Sequence, residues 1–145
     1  TSFLFNYTGA PSKTQKWVRM ICRDFYGTEG IHGYGFGQDE DQGQLGAWIV
    51  MAGMGLFDVK GLTALEPTFS IGSPLFDKIT INLNNKYYTG KQFIIETENN
   101  FPDNFYIQSL TLNGNDLNKT FIPFSEVVKG GILKLRMGQD PKDNY

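Results

Sequence analysis

From Leu45 to Met54 the chain carries no charge, and Trp48, Ile49, Val50 and Met51 present apolar side chains to every side of a helix. A helix that is apolar all round belongs in an interior, so this run predicts a buried helix over 43–55, ending near Gly53 and Gly55. Immediately before it stand three consecutive acids, Asp39-Glu40-Asp41, approached through Gly33, Gly35 and Gly37. The helix start falls near Gln42 and Gly43, close behind Asp41. Helix N-termini carry partial positive charge and unpaired N–H groups, which favour an ionised carboxylate. An anionic loop held against a buried helix is a physical route to a carboxylate kept deprotonated for use as a general base.

Three readings of the acids stand on the residues alone. Asp and Glu ahead of a helix are ordinary capping residues or part of a solvated loop, which is their commoner role. Catalysis is the second reading. A calcium loop is the third, but the EF-hand spacing D-x-[DN]-x-[DN]-G-x5-E fails. Asp39 and Asp41 occupy its first and third places, whereas Gly43, Gln44 and Val50 occupy the fifth, the glycine and the terminal glutamate places.

A chain of 145 residues, 40% of them apolar, is large enough for one ordinary domain or two small ones. A net charge of −2 leaves no basic footprint for nucleic acid. The single cysteine, Cys22, excludes an internal disulfide framework and a cysteine-cluster metal site. No apolar run approaches the ~18 residues of a membrane span. The chain opens Thr1-Ser2-Phe3 without a methionine, which reads as a processed or excised piece of something longer. The absence of a signal peptide from such a piece carries no information on location.

Residues 3–10 read as the tail of a helix running into a turn. Pro11-Ser12-Lys13-Thr14-Gln15 reads as a helix start, with Ser12 and Gln15 in the S-x-x-Q capping box. Trp17, Ile21 and Phe25 recur every four residues beside Val18 and Cys22, which predicts an amphipathic helix over 13–26 with Gly27 as its C-cap. Cys22 reads as a small core residue. The long loop from Gly27 to Gln42 holds the only histidine, His32, which has no obvious catalytic partner. Near Thr68 the period changes. Strands are predicted over 78–83, 93–97, 106–112 and around Leu133, Leu135 and Met137, with a hairpin at Asn113-Gly114 and one helical turn over 125–130. The fold class is α+β: a helical hairpin followed by an antiparallel, sandwich-like β region. The predicted boundary divides 1–66 from 67–145.

Four separated segments carry a resemblance. Leu4-Phe5-Asn6-Tyr7-Thr8-Gly9-Ala10-Pro11-Ser12-Lys13-Thr14-Gln15 is similar to a family segment L-Y-N-Y-x-G-x-P-W-K-T-Q. Gln38 to Val50 is similar to G-N-E-D-C-G-Q-M-S-A-W-Y-V. Gly55-Leu56-Phe57 and Ile71 to Lys78 follow in the same order. The chain resembles the C-terminal portion of the glycoside hydrolase family 92 α-mannosidases.

That resemblance implies an inverting, calcium-dependent, exo-acting α-mannosidase acting on mannose-containing glycans. It implies that the hairpin belongs to an (α/α)6 catalytic barrel, in a bacterial periplasmic or extracellular setting. Inversion needs one carboxylic acid on the leaving oxygen and one carboxylate on the attacking water. The family's base side maps to Asp39 and Asp41, with Asp41 the first choice. Its acid and most calcium ligands map upstream of Thr1. The implied partners are the rest of the parent chain or a second copy through apolar surface. Asp39, Gln42 and Ser12 stand where many members have Asn, Cys and Trp. The alternative function is a free-standing carbohydrate-binding or structural module without catalysis.

Overall fold

The computed structural model describes residues 2–26 and 43–144. A 3-10 helix, Ser2–Thr8, leads into α1 (Pro11–Phe25), and α2 (Gln44–Met54) follows. Eight strands come next: β1 (Leu56–Phe57), β2 (Thr68–Ile71), β3 (Lys78–Asn82), β4 (Gln92–Glu98), β5 (Tyr106–Leu112), β6 (Asn115–Asp116), β7 (Phe121–Pro123) and β8 (Gly131–Gly138). A single helical turn, α3 (Phe124–Val127), lies between the last two.

The first turn of α1 departs from the capping box. Pro11 takes the first helical position, where its missing N–H costs nothing, and Ala10 becomes the N-cap without a side-chain cap bond. The carboxylate of Asp143, 131 positions along the chain, accepts the Ser12 N–H at 2.9 Å instead. Gln15 turns away from the helix start, and its Oε1 accepts the Ile107 N–H at 3.0 Å in a buried bond. The inward face also differs from the apolar stripe. Thr14, Gln15, Val18 and Cys22 are buried, whereas Trp17 and Phe25 are 44% and 66% exposed. This helix packs on β5 through a polar side chain that satisfies a strand N–H, so hydropathy alone points to the wrong face.

The α2 helix is not enclosed as its composition predicts. Only Ala52 and Gly53 are buried, and Val50 is 60% exposed. α1, β1 and the segment around Leu75 each cover part of it, and Val50 is left facing outward. Below α1 and α2, Phe3, Val18, Cys22 and Ala52 form a small core, with Trp48, Ile49, Phe57 and Leu75 packed against it. Cys22 is a core residue, as its place in the helix predicts.

The strands form two sheets. One has the order β1-β2-β7 and is antiparallel throughout. The other has the order β3-β4-β8-β5-β6. In it β8 lies between β4 and β5, parallel to the first and antiparallel to the second. The region is therefore mixed rather than purely antiparallel, because the last strand inserts between two earlier ones instead of adding at an edge. Alternation in β8 buries Leu133, Leu135 and Met137. They share one core with Phe93 and Ile95 of β4, Ile107 and Leu110 of β5, and Leu56, Ile71 and Ile122 of the other sheet. Asn113 and Gly114 make the β5–β6 hairpin with φ of 52° and 83°, the left-handed pair that a tight two-residue turn requires.

Asn6, in the 3-10 helix, joins the helical and sheet regions. Its Nδ2 donates to the carbonyls of Ile71 at 2.9 Å and Thr120 at 3.2 Å, bridging the end of β2 and the approach to β7.

Candidate functional site

The carboxylates singled out in the sequence, Asp39 and Asp41, lie outside the described residues, as do Glu40, His32 and the expected C-cap Gly27. What the structure does describe is the frame on either side of them.

On the entering side α1 ends at Phe25, and Tyr26 turns to an extended conformation. On the leaving side Gly43 is the N-cap of α2 with φ 86° and ψ 0°, left-handed backbone that glycine adopts without penalty. Its carbonyl accepts the first helical bond, from Ala47 N at 2.9 Å. The two sides meet at Tyr26. Its hydroxyl donates to the Leu45 carbonyl at 3.2 Å, and its ring stacks on Trp48 with centroids 5.5 Å apart and planes 18° apart. The described residues on the two sides of 27–42 therefore touch each other.

The far end of α2 is fixed as firmly. Gly55, with φ 76°, closes the helix by donating to Ala52 O at 3.0 Å. Leu75 N donates to Gly53 O at 2.9 Å and Gly72 N to Gly55 O at 2.8 Å, so the segment leading out of β2 is stitched to the helix end. Phe3 stacks on Phe57 just beyond, centroids 4.6 Å apart. A helix held at both ends presents its N-terminus at a defined point, which general base chemistry requires of its support.

Several described carboxylates besides Asp143 have partners of their own. Asp58 accepts N–H bonds from Lys60 and Leu62 in its own turn. Glu96 pairs with Lys78, Glu98 with Lys134, and Glu126 with Lys129, all at half-buried or exposed positions where such pairs contribute little. Among the described residues no group of three or more His, Cys, Asp or Glu side chains could hold a metal ion.

Clefts occur elsewhere on the described surface. One, of about 690 Å³, is lined by Asn118, Lys119, Thr120, Phe121, Lys142 and Asp143, none of them on α1 or α2. Another, of about 430 Å³, lies between α1 and the segment 102–105 and includes Arg19, Cys22 and Phe105. Arg19 donates through Nε to Ser73 Oγ at 2.8 Å and through Nη2 to Asn100 Oδ1, both neutral acceptors. Burial lowers its pKa to about 10, because desolvation disfavours the charged form, and the neighbouring Cys22 opposes that shift. This guanidinium is a joint that pins α1 to two loops of the β region.

Sequence reasoning missed Tyr26. An aromatic residue at the last position before a long loop, with a tryptophan early in the following helix, was the signal available for it.

The model described as the glycosyl hydrolase family 92 catalytic domain matches residues 1–139. A protein described as an uncharacterized secreted glycosidase from Arthroderma benhamiae is 29% identical over 143 residues, which is 96% of this chain and 17% of that protein. Among solved structures, a family GH92 α-mannosidase from Bacteroides thetaiotaomicron is 30% identical with a TM-score of 0.84, over 98% of this chain and 18% of that one. A GH92 inverting mannosidase from the same organism is 34% identical with a TM-score of 0.80, again over 98% and 18%. The chain thus spans under a fifth of the length of these relatives.

Proposed function

Since this chain belongs to glycosyl hydrolase family 92, we propose that it is part of an inverting, calcium-dependent exo-α-mannosidase and supplies the general-base side of the active site. The observation that carries the reading is the acidic motif Asp39-Glu40-Asp41 running directly into a helix whose start and end are both held. A solved relative described as an inverting mannosidase supports the stereochemistry.

In this reading Asp41 takes a proton from water as that water attacks the anomeric carbon from the face opposite the leaving group. Asp39, two residues earlier, can face the same side of an extended segment and orient the water. In this reading Glu40 takes no part in the proton transfer. In this reading the acid that protonates the leaving oxygen, and most of the calcium ligands, belong to parts of the enzyme upstream of Thr1. In this reading the (α/α)6 barrel supplies the covering that α2 lacks. The secreted relative supports a location outside the cytoplasm.

Time-resolved proton NMR on the full-length protein with an aryl α-mannoside tests this reading. The β-anomer of mannose is expected first. First appearance of the α-anomer, or no hydrolysis of any α-mannoside, would contradict it. The isolated 145-residue chain is expected to be inactive, since a missing general acid alone costs ~10²–10⁴-fold.

A further inference from the structure

The proposed hydrolysis makes no use of the cleft of about 430 Å³ between α1 and the segment 102–105. Lys16, Arg19 and Arg23 all line it. They follow one another at intervals of three and four along α1, the spacing that sets helical side chains on one face. Lys16 and Arg23 are exposed and Arg19 is half-buried. Arg19 uses Nε on Ser73 Oγ and Nη2 on Asn100 Oδ1, both neutral acceptors, and Nη1 has no partner among the described residues. No described carboxylate forms an ion pair with Arg19 or Lys16. Arg23 pairs with Asp24 on the surface. Asp103 is the only acid among the described lining residues, and its charge acts on Arg23.

A cation drawn out of water without an anion beside it is costly. A guanidinium with a free N–H edge is shaped to take an oxyanion. Leu75 and Phe105, both half-buried, add apolar surface to the same cleft. An apolar wall with a few polar groups, in a space of this size, is the make-up of a small-molecule site. We infer that the cleft binds a small organic anion, with its phosphate or carboxylate group at Arg19 between Lys16 and Arg23 and its ring or chain against Phe105 and Leu75. The inference does not depend on the base at Asp41.

Calorimetric titration of the full-length protein with phenyl phosphate, benzoate and phenol, at fixed ionic strength, tests it. At least one of the two anions should bind saturably, and the tighter one identifies the anionic group. Phenol keeps the ring without the charge and should bind ~10-fold more weakly or worse, the worth of one charge-assisted hydrogen bond. Lys16→Glu combined with Arg23→Glu reverses two exposed charges, leaves the Arg19 bonds in place, and should weaken the anion ~10-fold. Asp103→Asn removes a repelling charge and should tighten it. Arg19→Gln should abolish binding, and should that variant fail to fold, the exposed double variant still decides. Failure of both anions to bind saturably would overturn the inference. So would phenol binding as tightly as the anions. Equal affinity in the unsubstituted protein and in the Lys16→Glu, Arg23→Glu protein would also overturn it, because the anion would then sit elsewhere in the enzyme.

Discussion

The Oε1 of Gln15 accepts the backbone N–H of Ile107 at 3.0 Å, across 92 positions of sequence and in a fully buried place. This bond ties α1 to β5, and so the helical region to the larger sheet. Gln15→Ala leaves that N–H buried without a partner, an omission that costs ~1–3 kcal/mol. Urea unfolding should show a loss in that range. Asp143→Ala, which takes the acceptor from the Ser12 N–H at the start of α1, should lose less, as for an ordinary cap at ~0.5–2 kcal/mol.

The same residue shows what the sequence could and could not reveal. Gln15 three places after Ser12 has the form of a capping box, and nothing local betrays that a strand amide lies waiting for it. Trp17 and Phe25 mark an apolar stripe, yet the buried face runs through Thr14, Gln15, Val18 and Cys22. A face chosen by one long-range polar bond leaves no periodic signature. Where local chemistry decides, reading succeeds. Asn113-Gly114 makes its hairpin, and Gly55 ends α2 in left-handed backbone. Leu133, Leu135 and Met137 point inward by alternation. The parallel pairing of β8 with β4 is decided by chain topology, which alternation cannot encode. Of the frame around 27–42, the helix Gln44–Met54 was legible from composition, while the Tyr26 contact with it depends on a meeting of two helices.

Cys22 predicts a pH dependence of stability. Burial raises its thiol from 9.0 to about 11, with the Arg19 guanidinium opposing the shift. Between those values the unfolded chain releases a proton that the folded chain keeps, so this contribution is constant below about pH 9 and stability falls as pH rises towards 11. Cys22→Ala should flatten that part of the curve. In native protein at pH 8 a thiol reagent should label Cys22 far more slowly than in urea, because the buried thiol is un-ionised. Equal labelling rates in both states would contradict the buried placement.

Gly55 combines left-handed backbone with close contact, since a Cβ there would stand 2.6 Å from Pro74 Cγ. Gly55→Ala therefore adds conformational strain to a clash and should lower stability by about 2 kcal/mol or more. Chemical denaturation measures it. A change under ~0.5 kcal/mol would mean that the helix end is not fixed against Pro74 as described.

The isolated chain should expose apolar surface along α2. Ile49, Val50 and Met54 line an open groove of about 360 Å³ with Leu75, Phe76 and Ile79. Contiguous patches of this kind drive association. Sedimentation should show self-association that Val50→Lys weakens, and an apolar dye should bind less to that variant. A monomer that binds no dye would contradict this.

The central claim is that Asp41, with Asp39 beside it, activates the attacking water. The most direct measurement is kcat for Asp41→Asn, Asp39→Asn and Glu40→Gln in the full-length protein, each variant also melted to establish that it folds. The account predicts a fall in kcat of ~10²-fold or more for both aspartate variants, with KM less affected and Glu40→Gln changed far less. Carboxylates that only cap the helix would instead cost ~1 kcal/mol of stability. Asp41→Asn and Asp39→Asn proteins that melt lower and yet turn over substrate at the normal kcat would contradict the account.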